Sequence, residues 1–567
     1  MRTRKTQQGL SVQAIAGSHV VLLGMNMKRA DCEGLLGFAI HRTDYKEEEA
    51  CWMEGMKTFE ETDPGFVPGS EYPTNRHPIQ GFTWSDFSAK PGRAYSYRIR
   101  ALRGTPTNLR KLSEVKIDVT TESEEGGNHD VFFNRGAAAS QEYARRFGNQ
   151  IPNESNPDDK RWAWLSRGAM EAIAAFTARA KNSSWGLRVA AYEFRLDLFA
   201  DALLAAHDRG ADVRILYDAC ANPADEHGEV FPRDKNRATA LAARVDSFSQ
   251  ERVTRNDVKN PPISHHKFIV LLKNGKPEAV LTGSTNFSRG GVFGQSNVVH
   301  IVENAKIAGA FLKCWELIST NPVHDRLRAN LTATNQIPDG IPPKGTLAIF
   351  SPQQTKAALD WYAKLAKEAQ DALFMTFAFG INKVFLEAYT NGTAKLRYAL
   401  LDKLLGPGIR KDQRPAAEAA MKQLRFMKEN RFAVGNRITI NKFDRWVKET
   451  LTGLNAHVQF IHTKFMLIDP LGADPIVITG SANFSDASTL QNDENMLVIR
   501  GNKRVADIYL GEYMRLWNHY AFREWAATHA NPAQAKFQFL DTKNNWWRQY
   551  FEDTDRSRQR QYFSGGK

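Results

Sequence analysis

The fold class this sequence predicts is α/β: two tandem layered repeats behind a small all-β sandwich. Three observations carry that prediction. A pair of short motifs recurs at one fixed interval, a strand–helix–strand order precedes each copy, and the first 122 residues have a different texture. With 567 residues, there is room for three to four domains at roughly 150 residues each. The 42% apolar content supplies cores for all of them and excludes disorder over most of the chain.

The recurrent motifs align without a gap. His265-His266-Lys267-Phe268 leads to Gly283-Ser284-Thr285-Asn286-Phe287-Ser288, and His462-Thr463-Lys464-Phe465 leads to Gly480-Ser481-Ala482-Asn483-Phe484-Ser485; His to Ser is 19 residues in both. Upstream, Leu187 to Phe194 reads as a strand, Leu198 to Asp208 as an amphipathic helix and Val213 to Tyr217 as a buried strand ending in Asp218. Ala372 to Phe379, Lys383 to Tyr389 and Leu396 to Leu401, ending in Asp402, repeat that order. Strand, helix and strand with short connections mean parallel pairing inside a layered sheet.

Over residues 1–122 the pattern is that of antiparallel strands: Leu35 to Ile40, and alternating Tyr95, Tyr97, Ile99 and Ala101 after a Pro91-Gly92 turn. A Tyr opening a late strand is similar to the tyrosine corner of fibronectin-type III and immunoglobulin-type sandwiches. The expected division is therefore a sandwich over 1–122, a linker over 123–159, repeats over 160–340 and 341–530, and an aromatic and basic tail over 531–567.

Four cysteines without a CxxC pair make neither a disulfide framework nor a cysteine-built zinc site. His265 and His266 are adjacent, but no second cluster has metal-ligand spacing, so no metal or cofactor is expected. No apolar run reaches a membrane span or is followed by a cleavage site, so the expected setting is cytoplasmic. A net charge of +13 favours an anionic partner, nucleic acid or acidic lipid.

The spacing H-x-K, four residues, D, then G-S-x-N resembles the signature of the phospholipase D superfamily. The second copy matches fully, as His462, Lys464, Asp469, Gly480, Ser481 and Asn483; in the first, Leu272 stands at the Asp position. The resemblance implies two α/β/α repeats packed as a pseudo-twofold pair, acting as a phosphodiester hydrolase. In a strand alternate side chains share a face, so His265 and Lys267 point one way and His266 the other. The Asp position, seven residues after the His, then faces away from the chemistry, and its loss at Leu272 removes support rather than a reacting group.

Two imidazoles, two ammonium groups and two carboxamides suit displacement at phosphorus. One neutral His attacks to form a phosphohistidine, and the other, protonated, donates to the leaving oxygen. Lys267, Lys464, Asn286 and Asn483 would hold the non-bridging oxygens in place of a metal. Thirteen residues beyond Ser481 stands Glu494, at what looks like the family's acidic position; the same count from Ser284 reaches the neutral Asn297. Taken within each half, Glu494 is expected on His462 and Asn297 on His265, making His265 the nucleophile, as is usual for the family's N-terminal copy, and His462 the acid.

From Asp402 to His462 is 60 residues, against 47 from Asp218 to His265, and Lys403 to Glu449 holds twelve Lys or Arg against five Asp or Glu. Arg425, Lys428, Arg431, Arg437 and Lys442 are therefore expected to bind substrate from a basic insertion over 403–449 beside the active-site strand, the footprint for tracking a polyanion. The alternative is an amphipathic helix, Ala416 to Arg431, whose bases only face water. In the tail, Trp546, Trp547, Tyr550 and Phe551 interleave with arginines, either to stack on bases or to pack on the domain surface or a second copy of the chain. Nuclease, phospholipase and non-enzymatic binding module are the three readings, with nuclease preferred over phospholipase D.

Overall fold

The structure is a computed structural model that describes the chain apart from residues 66–68, 137–139, 154–155, 221–223, 254–261, 407–408, 438–448, 451–453, 455–459, 529–538, 544 and 567. Its N-terminal region is all-β. Strands β1 (Arg2–Gln7), β2 (Leu10–Ala16), β3 (Val21–Asn26), β4 (Leu35–Asp44), β5 (Glu49–Trp52), β6 (Thr83–Asp86), β7 (Ala94–Thr105) and β8 (Asn108–Thr120) form two antiparallel sheets, ordered β1-β2-β3-β6 and β8-β7-β4-β5. Alternation decides which side chains go inside: Tyr95, Tyr97, Ile99 and Ala101 are all buried. The Tyr95 hydroxyl accepts from the Lys90 N–H at 2.9 Å, closing the turn ahead of β7.

The first α/β half contains β9 (His129–Phe133), α1 (Ala169–Ala178), β10 (Trp185–Ala191), α2 (Asp197–Asp208), β11 (Asp212–Asp218), α3 (Arg233–Ala242), β12 (Ser249–Arg252), β13 (Lys267–Lys273), β14 (Lys276–Gly283), β15 (Val298–Val302) and α4 (Ala305–Ser319). The second contains β16 (Gly345–Ser351), α5 (Ala357–Lys367), β17 (Ala372–Phe377), α6 (Lys383–Thr390), β18 (Leu396–Leu401), α7 (Arg414–Phe426), β19 (Asn430–Val434), β20 (Phe465–Ile468), β21 (Ile476–Gly480), β22 (Glu494–Arg500) and α8 (Lys503–Thr528). Their seven-stranded sheets run β9-β15-β14-β13-β10-β11-β12 and β16-β22-β21-β20-β17-β18-β19, the same order position by position. As expected, β10 and β11 pair in parallel, as do β17 and β18; strands β13 and β20, which follow the motif His residues, are antiparallel to β10 and β17.

Strand parity sorts the cores. Phe268, Val270 and Leu272 face a core shared with α4, α8 and the second sheet, while Ile269 and Leu271 face the outer layer with α1 and α2. In the second half Phe465 and Leu467 join the shared core and Met466 and Ile468 the outer one with α5 and α6. The two sheets thus enclose a common helical layer.

Two expectations need correction, and one open alternative is decided. The stretch 123–159 is not simply a linker, because residues 129–133 form β9 and pair antiparallel with β15. The basic segment 403–449 is not an insertion beside the His strand: it holds α7 and the edge strand β19, in the topological places of α3 and β12. The surplus length falls later, since β19 ends 28 residues before His462 whereas β12 ends 13 before His265. Of the two readings of the C-terminal aromatics, packing on the domain is the one the structure shows. Trp546, Trp547 and Tyr550 are buried in the sandwich core, the Trp546 indole N–H donates to the Leu35 carbonyl at 2.9 Å, and α9 (Asp555–Phe563) packs on β3. Among the described residues no helix is long and apolar enough to cross a membrane.

A buried polar chain joins the halves: His129 Nδ1 to His300 Nε2 at 2.9 Å, His300 Nδ1 to the Tyr509 hydroxyl at 2.9 Å, and Tyr509 to Thr479 at 3.3 Å. Burial pushes the His129 pKa down to about 4 and that of His300 well below the ordinary value, so both stay neutral in the fold. An unfolded imidazole titrates near 6.5, so between about pH 6.5 and 4 the unfolded chain binds protons the folded one refuses. Stability should therefore fall as pH drops through that window, seen as a falling urea midpoint. Trp546→Ala should cost about 3–5 kcal/mol in sandwich stability, read by chemical denaturation at neutral pH.

Candidate active site

The motif strands β13 and β20 bring His265 and His462 to one cavity of about 1260 Å³, with ring centroids 6.5 Å apart. The cavity lies beyond the C-terminal ends of β10 and β17, where open parallel strands leave a crevice. His265, Asn286, His462, Lys464 and Asn483 line it. Lys267 and Lys464 are related by the pseudo-twofold, each donating Nζ–H to the carbonyl of its own His, at 2.7 and 2.6 Å. His266 points the other way, as parity requires, contacting Asn495 and Cys314 in the shared core. Asp469 lies at the far end of β20 and accepts the backbone N–H groups of residues 370–372, while Leu272 is buried in the shared core.

The orienting partners are exchanged between halves, contrary to the expectation of pairing within each half. His265 Nδ1 meets Glu494 Oε2 at 2.9 Å, and His462 Nδ1 meets Asn297 Oδ1 at 2.9 Å. The backbone explains the exchange. Asp493 N–H donates to the Ile263 carbonyl and Ser296 N–H to the Phe460 carbonyl, both at 3.0 Å, so each half's acidic-position strand starts against the other half's His strand. Ser481 donates to Glu494 at 2.7 Å and Ser284 to Asn297 at 2.8 Å; these contacts do stay within a half and aim the acceptors across the axis. Asn297 Nδ2 donates to the Gly291 carbonyl, which turns Oδ1 towards His462. Nδ1 of His462 must then carry hydrogen and Nε2 is left for the cavity.

Gly283 and Gly480 make this approach feasible. A Cβ on either would sit 2.2 Å from a carbonyl oxygen of the neighbouring strand, Val298 and Asn495 respectively.

Burial, reinforced by Lys267 and Lys464, holds both imidazoles well below their ordinary pKa. Burial also pushes Glu494 up to about 7 and Lys267 down to about 7, and lowers Lys464 further. Oδ1 of Asn286, Oδ1 of Asn483 and Oε1 of Glu494 are buried with no hydrogen-bond partner, a pattern typical of sites that await a ligand.

Other positioning groups escaped the sequence reading. Asp218 accepts the Ser264 N–H at 2.6 Å, and Asp402 accepts those of Phe460 and Ile461 at 2.8 and 2.9 Å, so each carboxylate grips the backbone just ahead of a motif His. The signal was present: both equivalent strands end in Asp. Arg252 and Asp493 form a buried ion pair at 2.8 Å that ties the start of β22 to the first half.

The expected substrate-binding bases lie elsewhere. Arg425 pairs with Glu524 at 2.7 Å, Lys428 with Asp553 and Arg431 with Asp555 at 3.4 Å; these bases hold α7 and β19 against α8 and the C-terminal segment. Arg437 does not line the cavity, and Lys442 lies outside the described residues. Among the described residues, the lysines and arginines that do line it are Arg195, Lys235, Arg289 and Lys464.

Residues 177–316 and 416–517 match the family model described as "Cardiolipin synthase, PLD-like domain". Each half thus carries part of a PLD-like domain, a domain of phosphodiester hydrolases and transferases, in agreement with the resemblance of the paired motifs. No curated protein matches it in sequence. Among solved structures it is similar to the phosphatidylserine synthase of Haemophilus influenzae Rd KW20, at 12% identity over 66% of this chain and 90% of that one, with a TM-score of 0.44. Nuc from Salmonella typhimurium aligns at 20% identity over 31% and 94%, TM-score 0.21. A polyphosphate kinase from Porphyromonas gingivalis aligns at 13% over 60% of this chain, TM-score 0.35, and the chain spans 46% of that kinase.

The exchange of partners has a direct signature in NMR titrations of labelled imidazoles. Glu494→Gln should lower the pKa of His265 and leave that of His462 nearly unmoved, whereas Asn297→Asp should raise that of His462 by about one unit or more. Pairing within each half would produce the opposite pattern.

Proposed function

We propose that this protein is a metal-independent phosphodiesterase of the phospholipase D superfamily, working through a phosphohistidine on His265, with nucleic acid as substrate. The observation that carries the chemistry is the pair of buried imidazoles facing one cavity, each with Nδ1 engaged and Nε2 available.

Nε2 of His265 attacks phosphorus. As the N–P bond forms, the P–O bond to the leaving alcohol breaks, and the oxygen takes a proton from Nε2 of His462. Glu494 stabilises the imidazolium character that develops on His265, so a carboxylate favours the nucleophile here by a different route from the one expected. Asn297, a neutral acceptor, leaves His462 a readier proton donor than a carboxylate would. Lys267, Lys464, Asn286 and Asn483 supply donors for the non-bridging oxygens. In the second step water gives its proton to His462, its oxygen bonds phosphorus, and the N–P electron pair returns to His265.

Arg195, Lys235 and Arg289 line the cavity, paired with Glu193, Glu229 and Asp197 respectively, and Arg195 lies over the Phe231 ring at 4.5 Å; these cations, with the lining aromatics Phe231 and Phe379, support a nucleic-acid substrate. Ile381, Ile409 and Leu454, which also line the cavity, favour a second reading, hydrolysis of a phospholipid.

Incubation with labelled DNA, RNA and phosphatidylcholine in excess chelator separates the readings: cleavage of either nucleic acid supports the first, release of lipid headgroup alone the second, and no cleavage counts against both. His265→Ala should abolish the covalent adduct, while His462→Ala should still form it from a substrate with an activated leaving group. Label trapped on His462 would reverse the roles. Because the acid must be protonated and its pKa is held down, the alkaline limb of kcat/KM should begin below about pH 6.5, and Asn297→Asp should move it upward.

A further inference from the structure

The cavity's two walls are built from equivalent loops with opposite chemistry. The strand register pairs Ala191 with Lys267 and Met375 with Met466, which places Phe377 opposite Lys464 two residues on. The loop after β10 and the loop after β17 therefore correspond residue by residue: Glu193 with Phe379, and Arg195 with Ile381. All four line the cavity. In the first half Glu193 and Arg195 form an ion pair at 2.7 Å. In the second, Phe379 is 40% exposed at the cavity and Ile381 stands beside it.

Each loop belongs to one imidazole. The Tyr192 N–H donates to the His266 carbonyl at 2.9 Å and its ring lies 4.8 Å from that of His265. On the other side the Thr376 hydroxyl donates to the Thr463 carbonyl at 2.7 Å, so the loop that starts at Ala378 flanks His462. The charged loop thus stands behind His265 and the apolar loop beside His462.

In-line displacement gives this arrangement a direction. The leaving alcohol departs on the side opposite the nucleophile, towards the group that protonates it. We infer that the 378–382 loop is the leaving-group site and that it selects an alcohol with an uncharged apolar or aromatic body, while a cationic alcohol is disfavoured there. The inference rests on the phosphohistidine reading and deepens it. By microscopic reversibility the same wall receives the alcohol that resolves the phosphoenzyme in a transfer reaction.

Two measurements on the full-length protein test it. The first is binding of straight-chain alkyl phosphates from ethyl to octyl, phenyl phosphate and phosphocholine, followed by calorimetry. Affinity should rise about fourfold per methylene, in line with the burial of a CH₂ group, and phenyl phosphate should exceed phosphocholine at least tenfold. Phe379→Ser and Ile381→Ser should flatten the chain-length dependence; being at the cavity surface, Phe379 can be replaced without opening a core. An alkyl series steeper than phenyl phosphate marks an aliphatic alcohol as the natural leaving group, and the reverse marks an aromatic one. Affinity independent of chain length, a preference for phosphocholine, or a dependence that survives both substitutions would overturn the inference. The second is release of p-nitrophenol from a p-nitrophenyl phosphodiester with 1-hexanol, 2-phenylethanol, glycerol or choline as acceptor. Transfer should favour the first two alcohols at least tenfold. Absence of any phosphoenzyme or p-nitrophenol, with the alkyl series intact, would sink the phosphodiesterase reading and leave the apolar wall as a binding site.

Discussion

The site depends on a reciprocal exchange between halves. Two backbone hydrogen bonds, Asp493 to Ile263 and Ser296 to Phe460, start each acceptor-bearing strand against the opposite His strand. Glu494 reaches His265 and Asn297 reaches His462 only because of them. Neither half contains a complete His–acceptor unit. The contacts that hold the halves together, the shared helical layer and the Arg252–Asp493 pair among them, are therefore also the contacts that make the site.

Exchange between halves also makes the two imidazoles unequal in a pseudo-symmetric frame. Both are buried beside the same two lysines, which holds them neutral, and the lysines are themselves pushed towards losing their protons. Such a crowded set of cationic groups is poorly stabilised until an anion enters, and a phosphodiester supplies the charge that is missing. What distinguishes the rings is the atom on Nδ1, a carboxylate in one case and an amide oxygen in the other. The cavity walls carry a second inequality, an ion pair behind one ring and apolar side chains beside the other.

The sandwich and the C-terminal segment form one structural unit. Ile15 on β2, Leu22 on β3 and Val20 just before β3 join the shared core around α8, and the C-terminal segment returns to bury Trp546, Trp547 and Tyr550 in the sandwich. The bases of α7 and β19 are engaged in the same region through Glu524, Asp553 and Asp555. Their charge, which in the sequence pointed to a polyanion, serves here to fasten the edge of the second sheet to the chain's end.

Much was legible in one dimension. The equal interval from His to Ser, the strand–helix–strand order and the parity that sends His265 inward and His266 away all depend on local spacing, and local spacing fixes which side chains share a face. The sequence by itself thus determined the two α/β halves and singled out His265, Asn286, His462, Lys464 and Asn483, which line one cavity, together with Lys267, which does not line it. It could not determine which acceptor serves which imidazole, because His265 and Glu494 lie 229 residues apart and His462 and Asn297 lie 165 apart. Nor could composition tell a base that lines the cavity from one paired with a distant carboxylate. Those choices belong to the packing of one half on the other, where a contact is set by the geometry of two folded surfaces rather than by any interval along the chain.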